Sequence, residues 1–230
     1  MLSYFMTTGQ KTTSLAKAVF PCFAVLVLAH AARAENRSGV VVPGYHDKYS
    51  AFVTQLEAGQ TNINYADFRE SFLESEQFKA ASKQKPDLST LRKEMHELMR
   101  KSKYAEIVEI TKRMLSIDYT DMEAHKILHQ TYKILGDAAN SKKYRDIEFG
   151  LLNSIIKKGN GKTCQTAWPV IQINEEYFIL QMLGAKLLKQ SVDNTGGLCD
   201  KMDVHTDEGD KTYYFEISKV FKGYNKQGIH

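Results

Sequence analysis

Apolar positions along the chain change period once, and that change divides it. Over Met114–Phe149 (MLSIDYTDMEAHKILHQTYKILGDAANSKKYRDIEF) the residues Ala124, Leu128, Thr131, Tyr132 and Leu135 recur at i, i+4, i+7, i+8 and i+11, one face of a helix. Asp121 stands where an N-cap would accept from the first-turn N–H groups. Gly136 stands where a left-handed residue would stop the helix. Asp137 then caps a second helix striped by Tyr144, Ile147, Leu151, Leu152, Ile155 and Ile156, and so short a connection makes the two antiparallel. Tyr104–Ile117 carries the same spacing and predicts a helix before them. Upstream, Tyr49, Phe52, Val53 and Leu56 predict a short helix ended by Gly59, and Asn64 opens another with Tyr65, Phe68 and Phe72 inward. Residues 80–89 (AASKQKPDLS) read as a polar loop around Pro86, followed by a helix with Leu88, Leu91, Met95, Leu98 and Met99 on one face. These aromatic and methionine stripes read as core.

Beyond Gly159-Asn160-Gly161 the period becomes two. Thr166–Ile173 (TAWPVIQI) is rich in strand formers, with Pro169 confining it to an edge or a strand end. Residues 174–184 predict a short capped helix. Leu187–Val192, Leu198–His205 and Thr212–Ser218 predict three further strands around turns at 194–197 and 207–210. The expected fold is therefore α+β: antiparallel helical hairpins over 35–158, then a small antiparallel sheet with one short helix over 159–230, packed as one unit. Leu128, Tyr132, Leu135 and Gly136 resemble mid-helix and turn positions of the tetratricopeptide pattern. Tyr119 replaces its usual inter-repeat proline and His129 its small residue. One and a half degenerate repeats fall short of the three that a solenoid needs.

Residues 1–34 change the charge picture. They hold Lys11, Lys17 and Arg33 with no acid, an apolar run over Ala18–Leu28, and Ala32-Arg33-Ala34 as a small-x-small cleavage site. The run is too short to span a bilayer. The sequence thus predicts a signal peptide cleaved near Ala34 and a periplasmic or secreted mature chain without a stable membrane anchor. Cleavage removes three of the 31 basic residues, leaving 28 against 27 acids, so the net charge falls from +4 to +1. No clustered basic face remains for nucleic acid.

Three ordered segments carry a family resemblance. YSAFVTQLEAGQTNINYADFRESF includes a Tyr-x-x-x-Arg step at Tyr65 and Arg69, and DMEAHKILHQTYKILGD contains an Asp-Ala-His helix. GNGKTCQTAWPVIQINEEYFIL joins a Gly-rich turn to a Thr-Ala-aromatic strand and a Glu-Glu-Tyr helix, and Gln190, Asp200 and Tyr214-Phe215 follow in register. Over residues 45–218 the chain resembles an exported bacterial family catalogued as domain of unknown function four-nine-one-nine. Asn160 and Met122-Glu123 depart from acidic positions in that pattern. The resemblance carries over no activity and no catalytic residues.

The residues themselves offer three chemistries. His125 and His129, four apart on one helix, have metal-ligand spacing, but HKILH lacks the glutamate of a zincin and a third ligand is not evident, so no metal or cofactor is assigned. Their other reading is a contact between helices. Cys164 and Cys199 survive signal removal as an even pair in an oxidising compartment, which favours a bridge. Free buried thiols, and a nucleophilic cysteine paired with His205, are the competing readings. Glu175 and Glu176 are neighbours on a helix, point about 100° apart and suit its positive end rather than paired acid-base work. The residues therefore predict a non-catalytic module docking a protein or peptide on its helical half. The alternative is a hydrolase, metal-dependent through the His pair, working between the helical and sheet halves.

Overall fold

The computed structural model describes residues 39–226. The predicted signal segment therefore lies outside the described residues. Helix α1 (Lys48–Glu57) is capped by Asp47 and α2 (Tyr65–Glu74) by Asn64, whose side chain accepts from Ala66 N and Asp67 N. Ser75 then ends α2 and caps α3 (Glu76–Lys83) through Phe78 N. Helix α4 (Lys85–Arg100) follows after the single residue Gln84. The expected loop over 80–89 is thus helical. Pro86 falls in the first turn of α4, where a missing N–H leaves no helical hydrogen bond unmade.

Helices α5 (Tyr104–Ile117), α6 (Met122–Ile134) and α7 (Ala138–Ile156) meet the sequence expectation closely. Asp121 accepts from Ala124 N, Asp137 accepts from Asn140 N, and Gly136 takes φ +77° between them. The helices α4 to α7 pack each on the next. Leu128, Tyr132, Tyr144, Ile147 and Leu151 are buried as the stripes require, while Leu135 and Ile156 lie at helix ends and remain partly exposed. Tyr119, at the position of the missing proline, is fully buried. It packs edge-on against Phe68, which stacks on Tyr49 with ring centroids 5.5 Å apart.

The sheet half opens with a 3-10 turn at Cys164–Thr166 and a two-residue strand, β1 (Trp168–Pro169). Helix α8 (Ile173–Met182) leads to β2 (Lys186–Asp193), β3 (Cys199–Thr206) and β4 (Gly209–Glu216), and α9 (Ser218–Lys226) closes the described chain. The strand order is β1-β4-β3-β2. The expected antiparallel sheet is in fact mixed, because β1 runs parallel to β4 with Trp168 opposite Phe215. Pro169 offers no N–H, so pairing stops after two residues and the remainder of the predicted strand is loop and helix. The expectation of one helix beside the sheet is also corrected, since α9 follows β4. The main apolar core continues from Phe68, Met114 and Leu128 of the helices into Trp168, Met202 and Phe215 of the sheet, beside a small cluster of Cys164, Ala167 and Cys199. Among the described residues no helix is long and apolar enough to cross a membrane.

Candidate functional site

The two halves are joined through a buried ion pair. Arg69 of α2 presents Nε to Glu175 Oε1 at 2.8 Å and Nη2 to Glu175 Oε2 at 2.6 Å, a bidentate fork. Nη2 also donates to the Pro169 carbonyl at 3.1 Å, and Ile171 N donates to Glu175 Oε2 at 2.7 Å. Both side chains are almost wholly shielded from solvent. One pair therefore fixes α2, β1 and the start of α8 together.

Next to this joint, α4, α6 and α8 enclose a cleft of about 300 Å³. Its polar lining is Arg92, Asp121 and Glu123 from the helical half, with Asn174, Glu175, Tyr177 and Gln181 from α8. Met122 and Phe178 add apolar surface. Arg92 bonds both Asp121 and Glu123, so the carboxylates here are drawn onto one guanidinium. His96 Nε2 stands 3.5 Å from the other Glu123 oxygen. At the far end Lys126 sits over the Phe178 ring and reaches Gln181.

Glu176 faces the other way. It is fully buried, and neither carboxyl oxygen has a hydrogen-bond donor. Burial pushes its pKa up to about 9, with the charge of Asp200 adding to the effect. Asp200 of β3 is itself buried and accepts from Gln190 Nε2 at 2.7 Å, while Gln190 Oε1 accepts from the Tyr177 hydroxyl at 3.0 Å. A second buried acid, Asp118, accepts from Thr120 N, Thr120 Oγ1 and Gln172 Nε2 at 2.8, 2.6 and 2.9 Å. Burial and then Asp121 raise its pKa to about 6, against the pull of those hydrogen bonds. The sequence expectation that Glu175 and Glu176 diverge holds, but Glu175 takes a buried partner and Glu176 is buried without a donor, instead of both complementing an open helix end.

The two histidines do not share a site. His125 is fully buried, its Nε2 donates to the Tyr119 carbonyl at 2.8 Å, and its ring lies between Tyr119 and Tyr144. Burial lowers its pKa to about 4, so the ring is neutral at pH 7. His129 turns instead to Glu148, with Nδ1 3.2 Å from Oε2. Among the described residues no three His, Cys, Asp or Glu side chains are grouped to hold a metal. Cys164 and Cys199 are joined in a disulfide with Cα atoms 5.8 Å apart. His205, the partner of the alternative cysteine reading, bonds Asp210. Trp168 is buried, donates Nε1 to the Gly159 carbonyl at 3.2 Å and stacks on Tyr213. Gly161 is required beneath that ring, since a Cβ there would meet it at 2.7 Å and the backbone holds φ +65°.

Fold and site together define an α+β domain whose helical and sheet halves are clamped through one helix, α8. The chain belongs to the family described as a domain of unknown function (DUF4919), which matches residues 46–226. No curated protein and no solved structure matches it. The segments that carry the family resemblance meet in space: Arg69 of the Tyr-x-x-x-Arg step clasps Glu175 of Glu-Glu-Tyr, and Gln190 links Tyr177 to Asp200. Sequence reasoning missed these contacts because 106 residues separate Arg69 from Glu175 and no periodicity reports on such a pair.

Proposed function

We propose that the mature chain is an exported, non-catalytic module that takes a peptide segment of a partner protein in the cleft between α4, α6 and α8. The observation that carries the reading is the lining of the cleft. Its carboxylates are already engaged, Asp121 and Glu123 by Arg92 and Glu175 by Arg69, and amide groups of Asn174 and Gln181 stand beside the Tyr177 and Phe178 rings. Side-chain amides can satisfy a peptide backbone as both donor and acceptor, and aromatic surface can cover apolar side chains. Export rests on the three-part pattern of residues 1–34. The hydrolase reading gains nothing from this cleft, because His125 is sealed in the core and turned to a backbone carbonyl.

A displayed random-peptide library panned on the exported protein tests the proposal, with N-terminal sequencing of that protein returning Glu35 first. Enriched peptides should lose about tenfold or more in affinity with Tyr177→Ala, as a truncated interface aromatic does. No enrichment, or binding indifferent to Tyr177→Ala and Gln181→Ala, would remove the cleft from consideration.

A further inference from the structure

Glu176 and Asp200 are both buried, and Asp200 acts on Glu176 in a way that the joint and the cleft do not explain. As two carboxylates they have no hydrogen to share, and both Glu176 oxygens are left without a donor. An orphaned, fully buried polar group is rare and costly. A single proton held between the two carboxyls supplies the missing hydrogen bond and removes one of two like charges in a dry site. The surroundings favour such a proton over a bound cation: Gln190 already points its Nε2 donor at Asp200, which suits an anion.

We propose that Glu176 holds one proton through neutral pH and donates it toward Asp200, and that this hydrogen bond locks α8 against the sheet as the fixed wall of the cleft. The second half of the statement rests on the peptide-binding reading; the first does not. The charged and polar groups around Glu176 are consistent with the lock. Its neighbour Glu175 adds negative charge that Arg69 of α2 neutralises, and β3 contributes Asp200. From β2 comes the uncharged amide of Gln190, and Lys126 of α6 lies toward the other end of α8, at Phe178 and Gln181. Tyr177, next in sequence, faces the cleft and holds Gln190 by its hydroxyl, so the lock and the wall are continuous.

The sign of the pH effect follows. The carboxyl of Glu176 keeps its proton in the folded protein up to about pH 9, whereas an unfolded glutamate loses it near 4.5. The associated stability is complete below about 4.5 and is lost as pH rises through 9, at a limiting slope of about tenfold in the folding constant per pH unit. Measurements on the exported protein decide the matter. An infrared difference between wild type and Glu176→Gln at pH 7 should contain the carbonyl stretch of a protonated carboxylic acid; its absence would overturn the proton on Glu176. Urea midpoints between pH 6 and 9 should fall in wild type relative to Glu176→Gln, and parallel curves would also overturn it. Should the variant fail to fold, carbon-detected titration of the Glu176 carboxyl in wild type replaces it, and a midpoint near 4.5 is the refuting result. For the wall, amide resonances of Asn174 and Gln181 should shift as pH passes about 9 in wild type, without any peptide present. Stationary resonances with a proven proton would sink the lock alone. Failure of peptide binding with both results intact would leave the lock standing and sink the cleft reading.

Discussion

His125 illustrates how burial decides the charge of one side chain. Its ring has a carbonyl acceptor at Nε2, aromatic neighbours on two sides, and an Nδ1 with no partner. Charging it would place an imidazolium in a dry core, and this lowers its pKa from 6.5 to about 4. The depressed value sets the sign: its stabilisation is complete above about pH 6.5 and is lost as pH falls through 4. Integrated over that span the loss is about 3 kcal/mol. Glu176 and Asp118, whose pKa values are raised, act in the opposite sense, so wild type alone does not isolate the histidine. Comparison with His125→Gln does, because the amide can still donate to the Tyr119 carbonyl. Between pH 7 and 4 the urea midpoint of wild type should fall further than that of the variant. Equal acid sensitivity would mean that His125 does not titrate in this way.

At the scale of elements, α8 is the piece on which the arrangement depends. Glu175 ties it to α2 and β1, Glu176 and Tyr177 turn it toward β3 and β2, and Gln181 meets α6. A bidentate buried pair loses far more when one partner is removed than it contributes intact, since the other charge is left uncompensated. Arg69→Ala should therefore cost about 3–5 kcal/mol in chemical denaturation. The double variant Arg69→Met, Glu175→Met should recover much of that loss. A single variant within about 1 kcal/mol of wild type would show that the joint does not carry α8. The caps and stops of the neighbouring helices were legible in the chain because each lies within four residues of the group it satisfies. Asn64, Asp121, Asp137 and Gly136 all act as their positions imply. Pro86 misled because a proline alone does not distinguish a loop from the first turn of a helix.

For the whole molecule, the disulfide and the core act together. Cys164 and Cys199 close a loop of 35 residues, which loop-closure entropy values at roughly 3–4 kcal/mol. Taken by itself the sheet half would be the part to weaken on reduction. The core, however, runs unbroken from Phe68 and Leu128 to Met202 and Phe215, and Arg69 with Glu175 bolts the halves across it. Reduction should then lower one cooperative melting transition, by on the order of 10 °C for a domain of this size. Calorimetry resolving two transitions, with only one moved by reductant, would show that the halves unfold apart.

What the chain determined by itself was whatever short-range rules govern: helix stripes, caps, the left-handed stops, the hairpins of β2 to β4 and an even pair of cysteines. Those follow from local backbone geometry and hydrogen bonds that close within a few residues. The tertiary structure decided that β1 runs parallel to β4, that Glu175 meets a guanidinium and that Glu176 meets another acid. It also decided that the two histidines part company. These depend on which distant surfaces are pressed together and how much water is excluded there, and desolvation, not residue type, sets the protonation of a buried acid or imidazole.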